Sequence, residues 1–392
     1  MTRRAITGAL LFDGSEAPPA SGGTVVWEDG RIVSVGPDGA LDLEGAEVIE
    51  AGGDALLPGL IDGHVHLSFD GTLHGVDTVA TEPMETVRER AFRGARILLG
   101  AGITTARDQG SRHGVAIEVA AAQRAGEITG SRILASGRGI TPTGGHGWMI
   151  GVEADGPDAV RRAVAAEIER GADVIKLFPT GGVLGTGAHG FDLVMSAEEV
   201  GAAVAEAHAH GRLVGAHVHG VPGIEMALDA GVDTIEHATG ITDEQARRVV
   251  DQGVALVPTL TAMDVLVSSD VDLGAELQAR VDEVLAVAAS GIARAIAAGA
   301  VVLAGTDAGT PLNPPGRLAA EMEILSGLGL GALGAIAAAT SRAAEVFRLE
   351  GLGVVAPGAI ADLILVPGDP SADLGVLARP RLVIQAGEVI AG

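Results

Sequence analysis

The sequence predicts an α/β protein, a (β/α)8 TIM barrel with a small β-sandwich domain built from both chain ends. Eight short apolar runs rich in Val, Ile and Leu alternate with longer Ala-, Glu- and Arg-rich segments, whose apolar residues recur every three or four positions. Eight strands that are each followed by a helix are typical of a parallel barrel of about 250 residues. Residues 1–55 and 352–392 carry short strands of alternating polarity instead, so we expect the barrel to span residues 56–351.

The predicted barrel strands follow one another in chain order, and helical segments separate them. One helix starts after Ser196, which has capping-box spacing to Glu199, and another has Pro157 at its start. The predicted strands are 56–67, 103–109, 132–137, 173–178, 213–218, 234–238, 255–260 and 301–308.

The composition argues against several classes of function. The net charge of −25, from 51 acidic and 26 basic residues, disfavours nucleic-acid and anionic-membrane partners, because both select for clustered basic residues. The absence of cysteine excludes disulfides and thiol catalysis. The N-terminus lacks the apolar run of a signal peptide, and no stretch approaches about 20 uninterrupted apolar residues. We therefore expect a cytoplasmic protein that acts on a small-molecule substrate. We leave open whether it forms a homo-oligomer.

Polar side chains gather at the carboxyl ends of the predicted strands, where barrel enzymes hold their active sites. Residues at i and i+2 of a strand share one face, so an H-x-H pair there can point both imidazoles into the barrel mouth. Such a set of imidazoles and a carboxylate indicates a metal site. The residues are His64, His66, Lys176, His217, His219, His237 and Asp307.

A further H-x-H pair, His208 and His210, provides a contrast. It lies in a predicted helix, where side chains at i and i+2 do not face each other. We expect both of these imidazoles on the protein surface.

Lys176 is the only lysine of the chain, and it stands in an apolar strand. All the other basic residues counted with it are arginine. Because a lysine is almost never fully buried without a partner, its position indicates a specific role for the amine.

The motifs PGLIDGHVHL, HVHG, IEH and GTDAG, in this order and with the lysine of the fourth strand, resemble the amidohydrolase superfamily of metal-dependent hydrolases. The resemblance covers nearly the whole chain. TTARDQG, GGHG and IKLFPTGGV are similar to the branch that contains Xaa-Pro dipeptidases, N-acyl-amino-acid carboxypeptidases and ochratoxin-type amidases. Imidazolonepropionase and some aryl-urea and carbamate hydrolases are nearby relatives of that branch.

The resemblance implies two divalent metal ions, usually zinc, which are bridged by a lysine that has reacted with carbon dioxide. Burial lowers the pKa of an amine from about 10.4 by as much as about 3–5 units, which leaves a free amine able to add carbon dioxide. Arginine stays protonated and cannot replace it. The implied ligands are His64, His66 and Asp307 for the first metal, His217 and His237 for the second, and carboxylated Lys176 for the bridge.

The expected reaction is hydrolysis of an amide C–N bond. A single zinc already lowers the pKa of bound water from 15.7 to about 7. Asp307 would take the proton of that water and pass it to the leaving nitrogen. His146 is the candidate second donor to the scissile carbonyl oxygen, and the candidate substrate-binding residues are His219, Arg138 and His189.

Other functions stay open at this point. A mononuclear deaminase or an imidazolone ring opener would have a similar site but usually lacks the bridging lysine, and a non-catalytic scaffold should show gaps among the ligands. Aryl-urea and carbamate hydrolysis are further alternatives. Many relatives hold a substrate carboxylate with a tyrosine soon after the seventh strand, whereas this chain reads VPTLTAMDVL there and has no tyrosine. That absence argues against recognition of a free carboxylate, although the branch implies N-acyl amino acids and dipeptides as substrates.

Overall fold

The structure, a computed structural model, describes residues 2–183 and 190–390. The chain folds into two compact units. The first unit comprises Met1–Asp62, Ile97–Thr105 and Leu318–Gly392, and the second comprises Gly63–Arg96 and Ala106–Arg317. The predicted end domain of residues 1–55 and 352–392 falls inside the first unit, and its boundaries stay a prediction.

The strands in chain order are β1 (Arg3–Leu11), β2 (Ala20–Glu28), β3 (Arg31–Pro37), β4 (Glu47–Glu50), β5 (Ala55–Pro58), β6 (Leu60–Val65), β7 (Ile103–Asp108), β8 (Arg132–Ala135), β9 (Gly139–Thr141), β10 (Gly151–Glu153), β11 (Val174–Leu177), β12 (Leu213–His219), β13 (Thr234–Thr239), β14 (Ala255–Val257), β15 (Leu363–Val366), β16 (Leu382–Gln385) and β17 (Glu388–Ile390). The α-helices are α1 (Gly75–Thr78), α2 (Met84–Gly100), α3 (Val115–Arg124), α4 (Pro157–Glu169), α5 (Ala197–Ala209), α6 (Val221–Ala230), α7 (Asp243–Gln252), α8 (Thr261–Ser268), α9 (Ala275–Ala297), α10 (Leu318–Leu325), α11 (Gly331–Ala338) and α12 (Ser341–Val346).

The first unit holds a mixed sheet that joins both ends of the chain. Its order is β17-β16-β15-β5-β1-β2-β3, with β4 also paired to β1. β5 runs antiparallel to β15, with Ala55 opposite Val366 and Pro58 opposite Leu363. Fully buried Trp27 packs in the core of this unit and donates its Nε1–H to the Gly387 carbonyl at 2.9 Å. The predicted union of the two chain ends is thus present as one sheet, and a two-sheet sandwich stays a prediction.

The second unit is an α/β structure with parallel sheets, which confirms the predicted class. One sheet has the order β10-β9-β11-β12-β13-β14, and the carboxyl ends of β6 and β7 lie with β8 in another of order β6-β7-β8. β11, β12 and β13 are buried along their whole length, as expected for parallel strands that are covered on both faces. The helices start as predicted, since Ser196 and Glu199 form a reciprocal capping box before α5 and Pro157 opens α4.

The last predicted strand, 301–308, is not a regular strand. It makes single parallel bridges, Val302 with Leu256 and Ala308 with Val65. Two backbone bonds also tie it to β6, because Gly63 N donates to Ala304 O and Asp307 N donates to His64 O, both at 2.8 Å. This segment nevertheless brings Asp307 beside the end of β6.

One stretch of the first unit, Leu318–Ala338, is long and apolar enough to cross a membrane by length and composition. The core helices of soluble proteins pass the same test. The stretch is not one regular α-helix, because a π-helical turn at Ser326–Leu330 separates α10 from α11 and contains Gly329 at φ 112°.

Candidate metal centre and substrate cavity

Two groups of metal-ligating side chains lie at the carboxyl ends of the parallel strands of the second unit. The first group is His64, His66 and Asp307, and the second is His217, His219 and His237. Within each group, one ligand atom from every residue lies within 4.8 Å of the others. Every member is buried.

In the first group, both imidazoles carry their proton on Nδ1 and turn the lone pair of Nε2 towards a common point, as a bound cation requires. Nδ1 of His66 lies 2.8 Å from the Gly110 carbonyl, which can only accept, so this nitrogen carries the proton and Nε2 carries a lone pair. Nδ1 of His64 likewise donates to Glu236 at 2.8 Å. The two Nε2 atoms lie 3.3 Å apart, and Oδ1 of Asp307 lies 3.4 Å from one and 3.3 Å from the other. Three acceptors that converge in this way fit a divalent cation.

The pKa values agree with this arrangement. Burial, with a further contribution from Lys176, lowers the pKa of His64 to about 4, so its imidazole is neutral at pH 7. Burial raises the pKa of Asp307, but the neighbouring imidazoles of His64 and His66 lower it more, to about 2. A neutral imidazole and an ionised carboxylate are the forms that bind metal.

The second group consists of imidazoles that are also neutral. His217 Nε2 donates to the Gly181 carbonyl at 2.9 Å, which leaves the lone pair on Nδ1. His219 and His237 bond through Nδ1 to the hydroxyls of Thr239 and Thr259, at 2.8 Å and 2.6 Å. Burial lowers the pKa of His219 to about 3 and holds those of His217 and His237 well below the usual range. The site therefore offers three imidazoles here, one more than the pair expected from sequence.

Lys176 lies on β11, in register with Gly215 of β12 and fully buried. Its Nζ has no hydrogen-bond partner among the described residues. Burial lowers the pKa of this amine to about 8, against the opposing charges of Glu236 and Asp307. Its charge lowers the pKa of His64 in the first group and of His237 in the second, so the amine is close enough to influence both.

A buried ion pair supports the first group, and the sequence reasoning missed it. Arg107 Nη2 donates to Glu236 Oε1 at 2.7 Å, while Nε and Nη1 donate to the Gly63 carbonyl and the Thr234 hydroxyl. Burial raises the pKa of Glu236, but Arg107 and His64 lower it further and keep it ionised. The available signal was the presence of charged residues, Arg107 and Glu236, inside two predicted barrel strands.

Asp108 was also missed, although it lies in the motif TTARDQG. Its carboxylate accepts the backbone N–H groups of Leu67 at 2.8 Å and Gly110 at 3.2 Å. It therefore fixes the backbone directly after His66 and the carbonyl to which His66 donates. Burial raises the pKa of Asp108 to about 6.

Three residues of the site adopt left-handed backbone conformations. His237, Thr259 and Asp307 have φ angles of 70°, 54° and 57°. Such conformations cost about 1–3 kcal/mol each for residues other than glycine, and they cluster at functional sites. The backbone of this site is therefore strained where it presents its ligands.

A cavity adjoins the two groups, which supply part of its lining. The lining residues are His66, Phe69, Val76, His146, Gly147, Met149, Ile150, Phe178, Val183, His217, His219, His237, Thr239, Pro258, Thr259, Leu260, Met263, Val284, Ala288, Asp307 and Thr310.

The sequence of residues 55–390 matches the model of the Amidohydrolase family. The chain belongs to the amidohydrolase family. It is 31% identical to ochratoxinase of Aspergillus niger over 362 residues, which cover 84% of this chain and 73% of that protein. A solved Xaa-Pro dipeptidase with bound methionine superposes with a TM-score of 0.91 at 30% identity, over 100% of both chains. The A. niger ochratoxinase structure has a TM-score of 0.88 at 27% identity, over 100% of this chain and 96% of that one.

This amidohydrolase is accordingly a hydrolase that acts on carbon–nitrogen bonds and depends on metal. The cavity brings together most of the side chains expected from sequence. His146 lines it, with its ring centroid 4.4 Å from that of His217. Burial lowers the pKa of His146 to about 4, so it is neutral at pH 7. His219 lines the cavity as well.

Arg138 of this amidohydrolase, expected at the substrate, is not among the described residues that line the cavity. Its guanidinium is held by the fully buried Glu167, with Nε donating at 2.8 Å, and it borders a separate shallow pocket. His189 lies outside the described residues. His208 and His210 are exposed at the end of α5 and pair with Asp233 and Glu206, as expected of surface residues.

Proposed function

We propose that this amidohydrolase cleaves the amide bond of a small substrate at a binuclear metal centre. The observation that carries the proposal is the buried amine of Lys176, which has no hydrogen-bond partner among the described residues and influences two separate groups of metal-ligating side chains. An unmodified ammonium in this position would be buried with no hydrogen-bond acceptor from the described residues, which is costly. A carboxylated Lys176 would replace that cation with an anion that has two oxygen donors.

The side chains fit the proposed ions. His64, His66 and Asp307 would hold one ion, His217 and His237 the other, with Lys176 between them, and imidazole-rich sets of this kind favour zinc. Bound divalent ions would lower the pKa of water and polarise the scissile carbonyl.

The protein's own groups supply the proton transfers. Asp307 is ionised, so its carboxylate can accept a proton from water and return it to the leaving nitrogen. His146 can donate a hydrogen bond to the carbonyl oxygen from the wall of the cavity. Glu236 and Arg107 hold the His64 ring in the tautomer that places the lone pair on Nε2.

We also propose that the parallel sheets of the second unit are arcs of one closed barrel. The segment 301–308 links β14 to β6 through its two bridges. At the other junction between the two sheets, the backbone N–H of Asp173 donates to the carbonyl of Ala135 at 2.7 Å. Asp173 directly precedes β11, and Ala135 is the last residue of β8. Relatives of the amidohydrolase family support the same closure.

The test is metal content together with activity. After reconstitution with zinc and bicarbonate, elemental analysis should give close to two ions per chain, and the protein should hydrolyse small amides. His64→Ala should lose metal and activity, whereas His208→Ala, an exposed H-x-H histidine, should retain both. One ion per chain would support a mononuclear deaminase-like centre instead, and equal losses in the two variants would contradict the proposed ligands.

A further inference from the structure

We propose that the substrate is an uncharged amide, apolar on both sides of the scissile bond and lacking a free carboxylate. This inference rests on the proposed function, since it assumes that an amide is cleaved in the cavity described above. It specifies which kind of amide the cavity selects.

Most polar side chains of the described cavity lining are proposed metal ligands or bond to the ligand groups. Apart from His146, Thr310 and His219, which the proposed function does not use as a ligand, they belong to His66, His217, His237 and Asp307 or to Thr239 and Thr259, which bond to His219 and His237. The remaining side chains of the lining are apolar. They are Phe69, Val76, Met149, Ile150, Phe178, Val183, Pro258, Leu260, Met263, Val284 and Ala288.

Apolar residues of the lining lie beside both ligand groups. Phe69 belongs to the His66 side, with ring centroids 5.3 Å apart. Leu260 follows Thr259, the partner of His237, and Met263 and Val284 pack together in one core cluster of α8 and α9. A substrate bound in the cavity therefore meets hydrocarbon beside both ligand groups.

No ammonium or guanidinium faces this cavity from the described residues. The single lysine is Lys176 at the metal centre, the chain has no tyrosine, and the described lining has no arginine. Residues 184–189, outside the described part, contain neither lysine nor arginine in their sequence. A substrate carboxylate that lies against the apolar walls, away from the proposed metal ions, has no cationic partner there and loses its hydration uncompensated, which costs several kcal/mol.

The charge of the whole protein acts in the same direction. At a net charge of −25, the protein repels anionic solutes and does not concentrate them at its surface. Arg138, the nearest sequence candidate for a carboxylate partner, is neutralised by Glu167. Both the local lining and the overall charge thus favour a neutral substrate.

The experiment compares substrates that differ only in the carboxylate. Zinc-reconstituted enzyme is assayed with N-hexanoylpyrrolidine against N-hexanoyl-L-proline, and with N-hexanoyl-2-phenylethylamine against N-hexanoyl-L-phenylalanine. We expect kcat/KM to be at least about tenfold higher for the neutral member of each pair. Equal or higher values for the carboxylates would overturn the inference.

A second readout separates this inference from the proposed function. If none of the four amides is hydrolysed, the proposed function fails, and calorimetric binding of the same compounds to the zinc-loaded protein then decides the inference. Tighter binding of the neutral members supports it, and tighter binding of the carboxylates, or equal binding, refutes it.

A variant that adds a cation to the cavity wall should gain a preference for the carboxylate substrates. Met263→Arg places a guanidinium on the cavity wall, and the preference should shift towards the carboxylates by at least about tenfold. Val267→Arg is the control, because Val267 is on the same helix but 47% exposed, and it should leave the preference unchanged. If circular dichroism shows that Met263→Arg does not fold, Val76→Arg, at a half-exposed position of the cavity lining, replaces it. An unchanged preference in the folded cavity variant would contradict the inference.

Discussion

Glu236 accepts the Nδ1–H of His64 at 2.8 Å, and both side chains are fully buried. The contact fixes one tautomer of the His64 ring, whose Nε2 lies 3.4 Å from Oδ1 of Asp307. Arg107 holds the other oxygen of the same carboxylate. The geometry of the first ligand group therefore depends on a carboxylate that does not itself belong to the group.

The first prediction concerns that carboxylate. Glu236→Gln should lower metal affinity by about 10–100-fold, because a neutral amide holds the imidazole less firmly and leaves Arg107 without its counter-charge. Competition with a chromogenic chelator measures the change. Glu206→Gln is the matched control, since Glu206 pairs with His210 on the surface at 3.2 Å and should leave affinity unaltered. Equal affinities in the two variants would show that Glu236 does not support the metal site.

The second prediction concerns Lys176. Lys176→Ala should reduce activity by more than the roughly 10–100-fold that is typical of changes behind the ligands. A short carboxylic acid with bicarbonate should restore part of it by replacing the missing anion, whereas Lys176→Arg should stay inactive. Because the chain has one lysine, a lysine carbamate signal after carbon-13 bicarbonate labelling must come from this residue, once the N-terminal amine is excluded. An unmodified lysine in fully active, metal-loaded enzyme would refute carboxylation.

The third prediction concerns the stability of the metal-free protein at acid pH. The pKa values of His64 and His219 are lowered to about 4 and about 3, so between pH 6.5 and 4 the unfolded chain binds more protons than the folded chain. The free energy of unfolding should fall across this window, by up to about 1.4 kcal/mol per pH unit for each such histidine. Asp108 has the opposite effect on the free energy of unfolding, because its pKa is raised to about 6 and the folded chain therefore keeps its proton longer than the unfolded chain does. The two histidines outweigh this single carboxyl group.

Urea unfolding of chelator-treated protein at pH 6.5, 5.5 and 4.5 measures this slope. His219→Asn should make the slope shallower, and His208→Asn, at an exposed position, should leave it unchanged. A free energy of unfolding that stays flat or rises on acidification would contradict the prediction.

The fourth prediction concerns Gly215, which lies beside Lys176 across the β11–β12 pair. A Cβ atom there would lie 2.8 Å from Glu236 Oε1 and 3.1 Å from Gln109 Oε1. Gly215→Ala should therefore destabilise the protein by about 1–3 kcal/mol through overpacking. Gly201→Ala, inside α5 with open space where its Cβ would lie, should instead stabilise it by about 0.5–1 kcal/mol. Thermal unfolding of the two variants gives the comparison, and a neutral Gly215→Ala would argue against the tight packing.

The clustering of the candidate metal-ligating side chains was predictable from sequence because it depends on short-range rules. Two imidazoles at i and i+2 face one way on any strand, and a lone lysine among apolar residues is conspicuous in the chain. The roles of Arg107, Asp108 and Glu236 depend instead on which strand lies opposite, and no local pattern encodes that. The role assigned to Arg138 illustrates the same limit, since its partner Glu167 is 29 residues away.

Backbone conformation was the other part that the sequence could not supply. The run 301–308 has the apolar composition of a strand, yet it makes only single bridges in the described structure and turns left-handed at Asp307. Thr259 is β-branched, which disfavours a positive φ, and still adopts one beside His237. Local propensity is overridden at these positions, which lie in or beside the groups of candidate metal ligands.

The sheet of the first unit has a consequence for synthesis on the ribosome. β5 finds its partner β15 only about 300 residues later in the chain. At about 5–20 residues per second, the edge of β5 waits roughly 15–60 s for that partner to emerge. During this interval a row of backbone donors and acceptors on an apolar strand is open to other nascent chains. The late arrival of β15 makes the yield of folded enzyme depend on chaperone capacity and on translation speed.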